Sequence, residues 1–411
     1  MDCLQGSPQA KICDPVFTAE RLTLLWCDRR IGSNDLQLNF VPTFTNAGPT
    51  NVAQQLQELL QIATRGEIMA NADEQLSDWR ARALRVEEEV ARAVIGQQDT
   101  LRLINVALFA RGHVLLEGDV GVGKTTVLRA FARAIGGDFE RVEGTVDLMP
   151  GDLIYHTYVD AEGKPRIEPG PLLRHGESLT TFFFNEINRA RPQVQSLMLR
   201  AMAERSVSAF NREYRFPHMI VFADRNRVEK EETFELASAA RDRFMFELRM
   251  PTPTDESIRR SLVFHPEFHD VDTLLEKVTQ GVLEWRDLNE IGATIQRSVA
   301  ASEALERYVM DLWVATQNPK KFDIRLDGVD MDKLILAGAS PRGMMSLTRA
   351  ARVVAWLNGR THLVPDDIRS VVPAVLGHRI FFTPVYELRR SQIADALIAA
   401  ILDKLPAPRL Q

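Results

Sequence analysis

Residues 118–125 read Gly-Asp-Val-Gly-Val-Gly-Lys-Thr, and the apolar run from His113 to Leu116 leads directly into them. This is the G-x-x-x-x-G-K-[ST] pattern, with a buried-strand signal before it and a helical pattern from Thr126 to Ile135 after it. The chain must therefore make strand, tight loop and helix in that order. Gly118, Gly121 and Gly123 let the backbone curl so that successive N–H groups point inward at phosphate oxygens. The helix behind them adds the positive end of its dipole at the same place. Lys124 is positioned to reach the β- and γ-phosphates, and the Thr125 hydroxyl to take a place on Mg²⁺. Nine lysines stand among the 50 basic residues of the chain, so a lysine here is hardly chance. Gly118, Asp119, Val120, Gly121, Val122, Gly123, Lys124, Thr125 and Thr126 are the candidate residues for binding ATP with its Mg²⁺.

Around this unit the chain alternates strands with helices. A helical pattern runs from Leu76 to Ala110, with Gly96 just before the apolar stripe Leu101, Ile104, Leu108. Gly136 and Gly137 close the helix after the loop as a C-cap signal. An irregular Pro- and Gly-rich segment follows from Asp147 to Leu173. Next come an apolar strand, Leu179 to Phe184, a helix, Pro192 to Glu204, and strands Met219 to Ala223 and Phe244 to Leu248. Such alternation implies a parallel sheet covered by helices on both faces. Beyond Pro253 helices dominate. The expected layout is an α/β nucleotide-binding core over 76–250, a linker and helical segment over 251–330, and an all-helical C-terminal lid over 331–405.

The first 68 residues stand apart, with all three cysteines, few charges and no periodic element before Asn51. Val52 to Ile68 carries a helix-like pattern, and Met69 offers a second plausible start. The segment is expected to be a disordered extension or the product of a misplaced start; mass spectrometry of the native N-terminus separates the two. Cys3, Cys13 and Cys27 are odd in number and too widely spaced for a metal knuckle, as for free thiols in a reducing cytoplasm. No apolar run approaches the ~18 residues that span a bilayer. A net charge of −6 gives no basic field for nucleic acid.

A nucleotide hydrolase needs a second strand beside the loop that ends in a polar pair. The run Thr181 to Phe184 ends in Asn185-Glu186. The first residue of such a pair holds Mg²⁺ through water and the second activates the attacking water, so Asn185 is a candidate metal residue and Glu186 the general base. An aspartate is usual at the first position. An amide still accepts hydrogen bonds from metal-bound water but supplies no negative charge. Asn226, after the Met219–Ala223 strand, is the candidate for orienting the water. Arg243, just before the next strand, is the candidate arginine finger, a cation that stabilises phosphoryl transfer on a neighbouring subunit; Arg241 is the competing choice. Ser340 and Pro341 form a helix start, N-cap then first turn, which fixes Arg342 where it can reach a nucleotide phosphate from outside. Met345, Leu347, Ala350, Val353, Val354 and Leu357 then form the packing face of that helix. An arginine in a first turn opposes the helix dipole, which favours a function for it.

In this order the pieces resemble the AAA+ ATPases, and within them the MoxR family, over about residues 85–400. The likeness rests on Arg141 to Leu153 (Arg-Val-Glu-Gly-Thr-Val-Asp-Leu-Met-Pro-Gly-Asp-Leu), on Pro169 to Leu172, and on Asn185 to Ala190. Gly338 to Arg342, Val364 to Ile368 and Val375 to Arg379 extend it. The sequence departs from the family at Asn185, where the family has Asp, and after Asn226, where Arg227 and Glu232 replace a proline and a glycine. The resemblance implies a hexameric ring with ATP at each subunit boundary. It also implies a chaperone-like role in maturing or activating a client enzyme complex, often with a von Willebrand factor A partner. Asp147–Leu173 resembles the insertion of this branch, with Tyr155 and Tyr158 as candidate client contacts or as part of a passive hairpin. Three other readings are a nucleotide-gated scaffold with little hydrolysis, a chelatase subunit, and a DNA-associated motor. The last is disfavoured by the missing basic tail and helix-turn-helix.

Overall fold

The computed structural model describes residues 74–408 except Val120 and 226–233, and five strands of two or three residues between Lys11 and Phe44. The chain divides into two units, Met1–Glu74 and Gln75–Gln411. In the first, Val16–Thr18, Arg21–Thr23 and Thr43–Phe44 form an antiparallel sheet, and Lys11–Ile12 pairs with Trp26–Cys27. Strands this short show no period, which is why none was legible before Asn51. The Val52–Ile68 helix pattern and the cysteine side chains lie outside the described residues.

In the second unit the single helical pattern is two helices, α1 (74–91) and α2 (Gln98–Phe109). Gly96 breaks it at φ +75°, where an added Cβ would lie 3.0 Å from Ile258 and 3.1 Å from Pro253. Five parallel strands follow: β1 (His113–Gly118), β2 (Asp138–Glu143), β3 (Leu179–Asn185), β4 (Ile220–Arg225) and β5 (Phe244–Met250). Their spatial order is β5-β1-β4-β3-β2. Every residue of β1 and β3 is buried. Phe182 and Phe184 join a core with Leu115 and Val221 under helix α4 (Pro192–Glu204). Phe183 points the other way, with Leu116 and Phe222, toward α2 and α3 (Lys124–Ile135). A sheet buried on both faces needs such continuous apolar strands. β2 was not read from the sequence because its Asp-Phe-Glu-Arg-Val-Glu is mostly charged. It is an edge strand with only Val142 buried, and charge on an edge suppresses unwanted pairing.

The Asp147–Leu173 segment is ordered. Helix Pro150–Ile154 leads into an exposed hairpin of Tyr155–Val159 and Pro165–Pro169. A second hairpin, Ser206–Ala209 with Arg212–Arg215, turns at Phe210, whose ring lies 5.3 Å from that of Tyr155. Among the described residues no helix is long and apolar enough to cross a membrane.

The lid is built from α5 (Leu288–Ser298), α6 (Glu303–Gln317), α7 (Pro341–Leu357), α8 (Pro365–Leu376) and α9 (Arg390–Lys404), with one short antiparallel pair, Ile335–Ala337 and Phe381–Phe382. Helix α7 starts as its residues dictate: Ser340 Oγ accepts from the N–H of Gly343 at 3.1 Å, and Pro341 is the first helical residue. Leu347, Ala350, Val353 and Leu357 are buried as expected and Val354 is half-buried, but Met345 is 60% exposed and Met344 is buried in its place.

Core and lid meet at Asp242, two residues before β5. The fully buried Arg379 donates to its Oδ1 at 3.0 Å, to its carbonyl at 3.0 Å and to the Met245 carbonyl at 3.0 Å. Ser340 Oγ donates to Asp242 Oδ1 at 2.8 Å and Arg342 to Oδ2 at 3.1 Å. Burial pushes the Arg379 pKa down to about 10, which leaves it charged at neutral pH. Replacing Arg379 by Ala leaves Asp242 only Ser340 and the half-exposed Arg342, strips the carbonyls at the start of β5 of a donor, and is expected to cost about 3 kcal/mol of unfolding free energy in urea. A change no larger than that of a surface arginine would contradict this role.

His113, buried at the start of β1, accepts the Val221 N–H at Nδ1 (2.9 Å) and faces the Met202 carbonyl from Nε2 (3.2 Å), which fixes a neutral ring across β1 and β4. Burial, reinforced by the nearby Arg205 charge, holds its pKa at about 3 against 6.5 for a free imidazole. The unfolded chain binds the extra proton, so this contribution is complete above pH 6.5 and is lost as pH falls toward about 3. In His113→Asn, unfolding free energy should fall less steeply over that window than in the wild type; parallel slopes would refute the assignment.

Candidate functional site

The strand order brings the C-terminal ends of β1, β3 and β4 together, and open α/β sheets bind ligands at such ends. At the end of β1, Gly118 has no room for a Cβ, which would lie 2.7 Å from the Met250 carbonyl. Gly121 and Gly123 adopt φ +80° and +88°, as a phosphate loop demands. Val120 is outside the described residues. Helix α3 begins at Lys124, two residues before the expected Thr126, with Thr125 and Thr126 half-buried in its first turn. No acidic residue occupies that turn, so the positive end of the helix is uncompensated from within it.

Lys124 Nζ donates to the Gly118 carbonyl at 2.7 Å and pairs with Asp224 Oδ2 at 3.1 Å. Asp224 is 1% exposed, and its other oxygen accepts the Glu186 N–H at 2.5 Å. Burial raises its pKa, against the opposing pull of the Glu186 N–H and the Lys124 charge. The sequence reading missed this residue. Its signal was an acid at the end of an apolar strand, but nothing in the sequence says that this strand lies beside the loop.

At the end of β3 the Asn185 amide donates to the Glu143 carboxylate of β2. Glu186 sits in the left-handed region at φ +51°, strained for a residue with a side chain, and its carboxylate accepts from Arg189 at 3.0 Å. Gly144, after β2, donates its N–H to the Asn185 carbonyl at 2.7 Å; a Cβ on it would lie 2.2 Å from the Glu186 carbonyl oxygen. Asn226 and the departures that follow it lie outside the described residues, although β4 ends at Arg225 just before them.

The two arginines lie elsewhere. Arg342 and Arg243 flank Asp242 at the N-terminal end of β5, where Phe244 is in register with His113, whereas Met250 is in register with Gly118 of the loop. Those register pairs are five residues apart on β1, about 16 Å at strand spacing. Arg342 is thus held at the opposite end of the strands from the phosphate loop of its own chain. Arg241 is buried, 3.5 Å from Glu387 and over the Phe381 ring. Arg243 is half-buried, with a bond to the Ala239 carbonyl of its own turn at 2.8 Å.

Among the described residues no three His, Cys, Asp or Glu side chains converge to form a metal site. The oxygen donors beside the loop, the Thr125 hydroxyl and the Asp224 carboxylate, suit a hard divalent ion that takes its remaining ligands from phosphate and water.

Residues 113–246 match the family described as ATPase family associated with various cellular activities (AAA), and residues 331–400 match the AAA lid domain. Protein MoxR of Methylorubrum extorquens is 61% identical over 336 residues, 82% of this chain and 98% of that protein. Chaperone MoxR1 of Mycobacterium tuberculosis is 32% identical over 326 residues, 78% of this chain and 81% of that one. A solved structure from Cytophaga hutchinsonii, itself only provisionally assigned as an ATPase, is 29% identical with a TM-score of 0.69, covering 83% of this chain and 99% of that one. A chain with this sheet, loop and lid, and with these relatives along four-fifths or more of their length, belongs to the MoxR family of AAA+ ATPases.

Proposed function

We propose that the protein hydrolyses Mg²⁺-bound ATP within a hexameric ring and uses the cycle, as a cytoplasmic chaperone, to mature or activate a client enzyme complex with a von Willebrand factor A partner. The observation that carries the reading is the separation of the two arginines from their own phosphate loop. Arg243 and Arg342 have an anchor at one end of the sheet while Lys124 is at the other. Head-to-tail contacts between copies then bring the arginine end of one subunit to the nucleotide end of the next, and such contacts form a ring where the rotation between copies closes. The name of Chaperone MoxR1 supports the chaperone role.

In this reading the loop N–H groups and Lys124 hold the β- and γ-phosphates, and Thr125 and Asn185 belong to the environment of the ion, which offsets phosphate charge when bound. Glu186 takes a proton from the attacking water, and Asn226 orients that water. Arg243, with Arg342, stabilises charge on the transferring group of the neighbour. Tyr155 and Tyr158, 39% and 52% exposed, offer the hairpin as the client surface. Replacing both and finding client activation unchanged would remove that part. A second reading, a nucleotide-gated scaffold with little turnover, draws on the amide at Asn185; under it Asn185→Asp raises turnover sharply.

Steady-state hydrolysis should depend on Mg²⁺ and disappear in Glu186→Gln; tight ATP binding without turnover in the wild type would favour the scaffold. Arg243→Ala should lose about 10³-fold in turnover. Mixing Arg243→Ala subunits with inactive Lys124→Ala subunits should recover activity, because one variant keeps the loop and the other the finger. A mixture no more active than its separate components would eliminate the shared site.

A further inference from the structure

The structure assigns to Asp224 the acidic group that the Asn185-Glu186 pair lacks: we propose that its carboxylate holds the hydrated divalent ion of the bound nucleotide. This rests on the Mg²⁺–ATP reading above. Strands β3 and β4 are parallel neighbours with Phe184 beside Ala223, so Asn185, the last residue of β3, stands beside Asp224, the last but one of β4. One is an amide and the other an acid. The Asn185 amide is turned to Glu143 on the far side of β3, while Asp224 reaches the lysine of the phosphate loop and the backbone of the general base.

A carboxylate 1% exposed is costly to bury unless it meets a cation and hydrogen-bond donors. Here Lys124 Nζ at 3.1 Å and the Glu186 N–H at 2.5 Å fill that need. Phosphates compete for Lys124, and a nucleotide that arrives with a divalent ion supplies the replacement cation. Moving the acid from one strand to the next displaces it by about 4.8 Å. An ion that keeps several of its waters tolerates such a shift, because the carboxylate accepts from the water shell and not from the metal itself. The carboxylate beside Lys124 then stands on β4 and not on β3.

The test uses the full chain, the non-hydrolysable ATP analogue AMPPNP, and Mn²⁺ titrated by electron paramagnetic resonance. In Asp224→Asn, Mn²⁺ affinity of the protein–AMPPNP complex should fall by about tenfold or more, the size of one charge-assisted contact. Affinity for metal-free AMPPNP should hold or rise, since a negative charge near the phosphates is gone and Lys124 is released. If Asp224 only positions Lys124, metal-free affinity falls instead and the proposal is overturned. The exchange variant Asn185→Asp/Asp224→Asn restores the acid to β3, covers the case in which the single variant does not fold, and should regain most of the Mn²⁺ affinity; failure to regain it also overturns the proposal. Wild-type protein that binds Mn²⁺ no better with AMPPNP than without would overturn both this inference and the Mg²⁺–ATP reading. Nucleotide-dependent Mn²⁺ binding untouched by Asp224→Asn would overturn this inference alone.

Discussion

The arrangement of the molecule depends on the ion pair between Asp242 and Arg379. A guanidinium as buried as Arg379 must place its donors, and it does so on one carboxylate and on the carbonyls that surround the start of β5. That requirement fixes the lid against the core. Because Asp242 also takes Ser340 and Arg342, the same carboxylate sets where helix α7 begins and where its first arginine rests. Arg243 is the next residue in the chain. An interaction that reads as structural therefore governs the position of both cations that the proposed mechanism lends to another subunit.

The sheet gives each copy a direction. All five strands run the same way, so the two ends differ: Lys124 and Asp224 gather at one, and Asp242 with Arg342 and Arg379 at the other. Between the ends, the aromatic residues of β3 alternate between two cores and leave no room for solvent. The chemistry sits at the rim because the interior is closed to it.

Sequence patterns revealed those parts whose cause is local. The phosphate loop, the apolar β3, the glycine cap of α3 and the Ser340-Pro341 start of α7 each carry their signal within a few residues. Lys124, Glu186 and Arg342 carry such local signals, which is why they stand as candidates. Asp224 and Asp242 do not, since their partners are remote in the chain: Arg342 is 100 residues from Asp242 and Arg379 is 137. Nor could strand order be read, because β4 enters between β1 and β3 only through packing. The charged β2 and the two hairpins lack the apolar runs that marked the other strands. On α7 the face was legible except at Met345, where two methionines stand together and Met344 is the one that faces inward.

Gly144 bears on how force would move through the molecule. Its backbone is wedged against the peptide of Glu186 with no space for a methyl group, and Tyr155 of the exposed hairpin begins 11 residues further along. A joint with so little clearance cannot slip. Any side chain at position 144 would have to push the Glu186 peptide aside, so the backbone there is tied to the strand that carries the proposed base. The strand that carries the proposed base and the exposed hairpin are thus joined by one close backbone contact and 11 residues of chain.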